Sequence, residues 1–184
     1  MTRSLAVTLN ALSLYAVALV LAAAFAAQLL LHELPCPLCL LQRIQFAVLA
    51  IGPILNIRFG PRPSHYALSL LAAAAGFAFS TRQVLLHITP GDAGFGTALF
   101  GYHYYTWALI GFATAIVLLA VILLFDRQFE SDREPTVAPP AYAAVAVWLV
   151  IGLTALNVAS TLLECGFGAC AENPVVYELL KRGG

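Results

Sequence analysis

Leu34-Pro35-Cys36-Pro37-Leu38-Cys39-Leu40-Leu41-Gln42-Arg43 is a two-cysteine turn that runs straight into an apolar helix carrying one buried cation. Pro37 suits a first helical position, since its missing N–H is no loss there and its fixed φ already fits a helix; Cys36 is therefore expected at or beside the cap. Both sulfurs then sit at a helix N-terminus, where unpaired N–H groups and the macrodipole favour anions and make thiolate available at neutral pH. Arg43 follows Cys39 by four residues, one turn along the same face. Its guanidinium keeps its charge in proteins. A C-x-x-C pair can close as a short-loop disulfide, and a thiolate beside a fixed cation can both attack and leave in thiol–disulfide exchange. The stretch reads as a redox centre. A purely structural reading, an inert disulfide or two buried thiols with Arg43 snorkelling to the headgroups, has to account for an arginine about a turn inside an apolar span, a costly and usually functional placement.

Working outward, the 184 residues are 61% hydrophobic and 10% charged, with a mean hydropathy of +0.89. That balance is far from a soluble globular domain. The expected fold class is an all-α integral membrane protein, a bundle of about five transmembrane helices with lipid as its surroundings. A formal net charge of +0 and the lack of a basic cluster interleaved with aromatics exclude nucleic acid as the expected partner. Four cysteines in two close pairs are too few for a disulfide-stapled scaffold.

About 20 apolar residues cross ~30 Å of hydrocarbon, and spans are expected over about 11–31, 39–56, 66–87, 104–125 and 141–163. The first is read as a span and not as a secretory signal, because its apolar run is too long for an h-region and leads directly into the cysteine turn. The stretch from Asn56 to Pro63, with Arg58, Arg62 and two prolines, is not expected to continue a helix. Ala72 to Gly76 offers small residues for close helix approach, and Arg82 is a second cation within a span. Ile88–Gly96 is a turn-rich loop, and the aromatic cluster Phe100, Tyr102, His103, Tyr104, Tyr105 and Trp107 marks the start of the fourth span. Asp126–Pro140 reads as a linker. The chain thus divides into a helical domain, 1–163, and a cysteine-containing tail, 164–184.

With the N-terminus cytoplasmic, the loops holding Arg58 and Arg62 and holding Arg127 and Arg133 are also inside, as the positive-inside rule favours. Lys181 and Arg182 fall outside, against that rule. Five spans bring Cys36, Cys39, Cys165 and Cys170 to the outer face, where a compartment such as the bacterial periplasm tolerates disulfides. Gly166 and Gly168 let the C-x-x-x-x-C segment curl so that its sulfurs meet. Two pairs on one face form a dithiol relay, an exposed pair meeting a protein and a helix-anchored pair facing the membrane.

Cys-Pro-Leu-Cys-Leu-Leu-Gln-Arg, from Cys36 to Arg43 at the outer end of the second span, with Gln28 upstream, resembles the DsbB family of disulfide bond formation proteins. Arg82-Gln83, the Gly-rich loop, Gly101–Trp107 and Glu164–Cys170 resemble a short-loop branch of that family. The resemblance implies a quinone-linked thiol oxidase of the bacterial inner membrane, using ubiquinone or menaquinone and reoxidising a soluble periplasmic DsbA-like protein of thioredoxin fold. It implies that Cys39 is the thiolate that meets the quinone, that Cys36 exchanges with the second pair, and that Arg43 polarises a quinone carbonyl. Gln42, Gln28 and Gln83 would line the site. Arg82 is expected either to supply a second positive charge to the developing quinol oxygen or to bridge helices or snorkel. His87 and His103 lie near the right boundary to move protons. One departure stands out: in the best-known pattern the second pair lies between the third and fourth spans, whereas here it follows a fifth. Two rival readings use the same cysteines, a static disulfide-braced scaffold and a four-thiolate metal site; the enzyme reading needs no metal.

Overall fold

The computed structural model describes residues 3–125, 129 and 138–181. Its elements in chain order are α1 (Arg3–Leu30), α2 (Pro37–Leu49), α3 (Ile51–Phe59), α4 (Pro63–Leu86), β1 (Ala98–Leu99), β2 (Tyr102–His103), α5 (Tyr104–Leu123), α6 (Ala141–Cys165) and a 3-10 turn, Glu178–Leu180. Among the described residues five helices are long and apolar enough to cross a membrane, with Pro37–Phe59 counted as one. The chain is an all-α membrane bundle. Leu19, Leu71, Val117 and Trp148 stand out from four of these helices, as lipid-facing side chains do. The linker read at Asp126–Pro140 lies, apart from residues 129 and 138–140, outside the described residues, and so do Arg127, Arg133 and Arg182.

Burial follows helical spacing. On α1 the buried residues Asn10, Ala11, Leu14, Val17, Ala18 and Leu21 form one stripe, which packs on α6 and α3. On α4, Ala72, Ala73 and Gly76 are buried. Gly76 lies directly under the Phe112 ring of α5, and Phe112 stacks on Phe46 of α2 with centroids 4.1 Å apart. Lipid offers no hydrophobic drive between helices, so this close approach is what van der Waals packing requires.

The second span corrects the sequence reading twice. It breaks between α2 and α3, because Pro53 has no N–H for the Leu49 carbonyl and its ring crowds that carbonyl. Ser69 of α4 donates to the freed Leu49 oxygen at 2.8 Å, so the break leaves no orphan there. The span also continues past Asn56 to Phe59, since the stop is set by Gly60 at φ 84 and not by the polar residues before it. Asn56 is buried, donating to Asn10 at 3.0 Å and accepting from the Arg62 amide at 3.2 Å. The first span begins earlier than expected, at Arg3, and the third at Pro63, a proline in its first turn. The fourth ends at Leu123, and the fifth extends to Cys165, so Cys165 closes a helix and does not sit in a tail.

Candidate functional site

Cys36 caps α2 with extended backbone (φ −67, ψ 162), and its Sγ accepts from the Cys39 N–H at 3.2 Å; Pro37 follows in the first turn. Cys36 and Cys39 are joined as a disulfide with Cα atoms 5.0 Å apart. Cys36 is buried and Cys39 half-buried. From α4, Gln83 donates to Cys36 Sγ at 3.2 Å and to Cys39 Sγ at 3.4 Å, while its carbonyl accepts from Gln42 at 2.8 Å.

One turn below, Arg43 donates Nη1 to Gln28 Oε1 at 2.7 Å and to Asn157 Oδ1 at 3.2 Å, and Nη2 to the Ala24 carbonyl at 2.9 Å. The guanidinium therefore ties α2 to both α1 and α6. Gln28 in turn donates to Ser160 Oγ at 2.7 Å and to Tyr177 Oη at 3.0 Å, so the segment after α6 folds back over this cluster. Glu164 on the last turn of α6 is 2% exposed, and among the described residues neither carboxyl oxygen has a hydrogen-bond partner. The next residue, Cys165, is disulfide-bonded to Cys170 with Cα atoms 4.5 Å apart. The Gln28–Ser160 bond joins the C-terminal ends of α1 and α6, and α2 begins soon after α1 ends, so both disulfides lie at one end of the bundle.

A cavity of about 240 Å³ opens beside the first disulfide. Cys39, Gln42, Arg43 and Gln28 edge it, and Leu21, Phe46 and Trp107 are among its apolar walls. Phe95, Gly96 and Leu99, from the loop after α4, line it as well. Glu33 accepts from the Thr97 N–H at 3.1 Å and from the Thr97 hydroxyl, while Trp107 donates to the Leu99 carbonyl at 3.0 Å. The loop ends in a two-residue hairpin whose turn residues, Phe100 and Gly101, both have positive φ (52 and 82), the geometry that matches strand twist.

Of the residues singled out in the sequence, Cys36, Cys39, Gln42, Arg43, Gln28 and Gln83 come together. Arg82 does not: it is exposed and lines a separate surface depression with Phe77, Ala78, Thr81, Leu85 and Leu86, because neighbours on a helix point about 100° apart and Gln83 takes the inward direction. His87 and His103 sandwich the Tyr105 ring at 5.5 and 5.2 Å. Asp92 lies next to them, its carboxyl held below the usual carboxylate range by the Gly94 N–H first and His87 second. All four sulfurs are paired as disulfides. Asn157, Ser160, Glu164 and Tyr177 were not singled out. The first three recur at i, i+3 and i+7 in an apolar helix, and that polar stripe is the signal that could have found them.

Comparison with known proteins places this geometry. A family profile described as "Disulfide bond formation protein DsbB" matches residues 6–95. The chain is similar to disulfide bond formation protein B of Xanthomonas axonopodis pv. citri, 42% identical over 77 residues that cover 39% of this chain and 45% of the relative. The corresponding proteins of Xanthomonas oryzae pv. oryzae and Xanthomonas campestris pv. campestris are each 40% identical over the same extent. The chain thus spans 45% of the length of these curated relatives. No solved structure matches it with significance. Residues 6–95, which hold Cys36, Cys39, Gln42, Arg43, Gln28 and Gln83, thus match the DsbB family of disulfide bond formation proteins.

Proposed function

We propose that this chain is a thiol oxidase of a bacterial inner membrane that reoxidises a soluble periplasmic DsbA-like protein of thioredoxin fold and passes the electrons to a quinone. The observation that carries the reading is the juxtaposition of the Cys36–Cys39 disulfide, Arg43 and an apolar cavity edged by both. A quinone is an apolar two-electron, two-proton acceptor that dissolves in the bilayer, and a largely apolar cleft edged by the Arg43 cation, the Gln28 and Gln42 amides and the Glu33 carboxylate suits it. Cys39, which edges the cavity, is the sulfur that gives up electrons there. Arg43 stabilises its thiolate and any negative charge gathering on a carbonyl oxygen, and Gln28 and Asn157 hold the guanidinium in place. Gln83 stabilises negative charge on either sulfur, and Gln42 orients Gln83.

In this reading the N-terminus is cytoplasmic and both pairs are periplasmic; the second pair is not the exposed one expected from the sequence, since Cys165 is buried at the end of α6 and Cys170 is half-buried, so a partner reaches it at Cys170. The partner dithiol reduces Cys165–Cys170, that pair reduces Cys36–Cys39, and two electrons move at each exchange. The decisive experiment measures reduction of ubiquinone and menaquinone analogues by the purified chain supplied with a reduced thioredoxin-like dithiol, beside Cys39→Ala. Turnover by the native chain and its loss in the folded variant support the reading. An intact chain that reduces neither quinone with any of several dithiols would leave the disulfides as static braces.

A further inference from the structure

Glu164 has no place in the function proposed above, yet a carboxyl buried in a membrane bundle is costly. It is 2% exposed, at the end of a membrane-spanning helix, and among the described residues neither carboxyl oxygen finds a hydrogen bond. An ionised carboxylate survives such surroundings only against a compensating charge. The cation that reaches it is Arg43. Arg43 spends its hydrogen bonds on the neutral oxygens of Gln28, Asn157 and Ala24, and among the described residues no ion pair joins it to Glu164. Arg43 and Glu164 thus balance each other through space, with Glu164 free of the bonds that would fix its protonation state.

We propose that Glu164 is the proton store of the Arg43 site, taking up a proton when the Cys36–Cys39 disulfide is reduced. This rests on the reading that this pair is reduced and reoxidised in the working cycle. Reduction leaves Cys39 as a thiolate one turn from Arg43, so a second anion competes for one cation. The ionisable groups around the pair are few. Packed against α6, α2 brings Arg43, the segment after α6 brings Tyr177 in electrostatic reach of Arg43 while its Glu172, Glu178 and Lys181 are exposed, the last two paired with each other, and α1 brings the Gln28 amide and the Ala24 carbonyl, its ionisable residues being Arg3 and Tyr15. The step balances. A dithiol passes two electrons to the Cys36–Cys39 bond and becomes a disulfide; of its two protons, one goes to Cys36 as thiol and the other to Glu164, leaving Cys39 as thiolate. Net charge is unchanged, which a low-dielectric site favours.

The test is reduced-minus-oxidised infrared difference spectroscopy of the full chain in quinone-free micelles, with a small dithiol as reductant. A protonated-carboxyl band appears on reduction of the native chain and is absent from Glu164→Gln. In the same reduced samples, the pH at which Cys39 becomes alkylatable falls by about one unit or more in Glu164→Gln, because strongly coupled sites share their protons and the competing anion is gone. A native chain with no such band, or a band that survives the substitution, would overturn the assignment. Should Glu164→Gln fail to fold, the native spectrum still decides against the assignment if the band is missing. A chain that shows the band but reduces no quinone would overturn the oxidase reading and leave this proton uptake standing.

Discussion

Gln83 of α4 donates its amide to Cys36 Sγ at 3.2 Å, so a side chain from another helix, and not only the cap of α2, faces the disulfide. The same amide donates to Cys39 Sγ at 3.4 Å, so when the pair is reduced it meets the Cys39 thiolate, and a hydrogen bond to a charged group contributes about 1.5–3 kcal/mol. Gln83→Leu removes it and also strands Gln42, whose amide loses its 2.8 Å acceptor. Alkylation of the reduced pair at neutral pH is expected to slow by about tenfold or more, with its pH profile moved upward. An unchanged profile would show that Gln83 only packs.

The part of this arrangement that a local reading reaches is the part encoded within one turn. Pro37 announces the helix start, the spacing of Cys39 and Arg43 announces their shared face, and long apolar runs announce five spans. What escapes is tertiary. The carbonyl freed by Pro53 is satisfied from α4 by Ser69, and no feature of the second span names that donor. Arg82 and Gln83 are adjacent and equally polar in sequence, and only helix rotation decides that Gln83 is 1% exposed while Arg82 faces out. The partners Asn157 and Ser160 lie more than a hundred residues from Arg43 and Gln28, so their pairing is a property of the bundle.

Gly76 leaves no room for a methyl group, because Phe112 packs directly on its Cα. Gly76→Ala must push Phe112 against Phe46, on which it stacks at 4.1 Å, and Phe46 is a wall of the cavity. Overpacking of this kind destabilises by about 1–3 kcal/mol. Thermal unfolding in detergent should report that loss, whereas Gly152→Ala, with nothing near the added carbon, is the control that should stay close to native.

Asp92 makes the loop after α4 sensitive to acid. Its carboxyl accepts from the Gly94 N–H at 2.7 Å and from His87 at 3.0 Å, which holds it below its ordinary value of 3.8. A folded value below the unfolded one means the opened loop binds protons more readily. The stabilisation is therefore complete above pH 3.8 and fades as pH falls through the folded value. Hydrogen exchange should find residues 88–94 protected at neutral pH and opening in acid. Asp92→Ala should open them at neutral pH, and Asp92→Asn should weaken them without any acid response.

Glu33 holds the cavity loop from the opposite side, accepting the Thr97 N–H at 3.1 Å together with the Thr97 hydroxyl. The same loop is tied by Trp107 to the Leu99 carbonyl, by His103 to the Gly96 carbonyl and by the pairing of β1 with β2, so losing Glu33 loosens one attachment among several and leaves the bundle intact. Glu33 lines the cavity and sits outside the Gln83 and Arg43 networks. Glu33→Ala is thus expected to raise KM for quinone and leave kcat near native. Loss of about 1 kcal/mol of loop closure corresponds to a fivefold change. Steady-state kinetics over a range of quinone concentrations measures both constants. An unchanged KM would show that the loop stays closed without Glu33, and a fall in kcat at constant KM would mean that the carboxylate takes part in the chemistry itself.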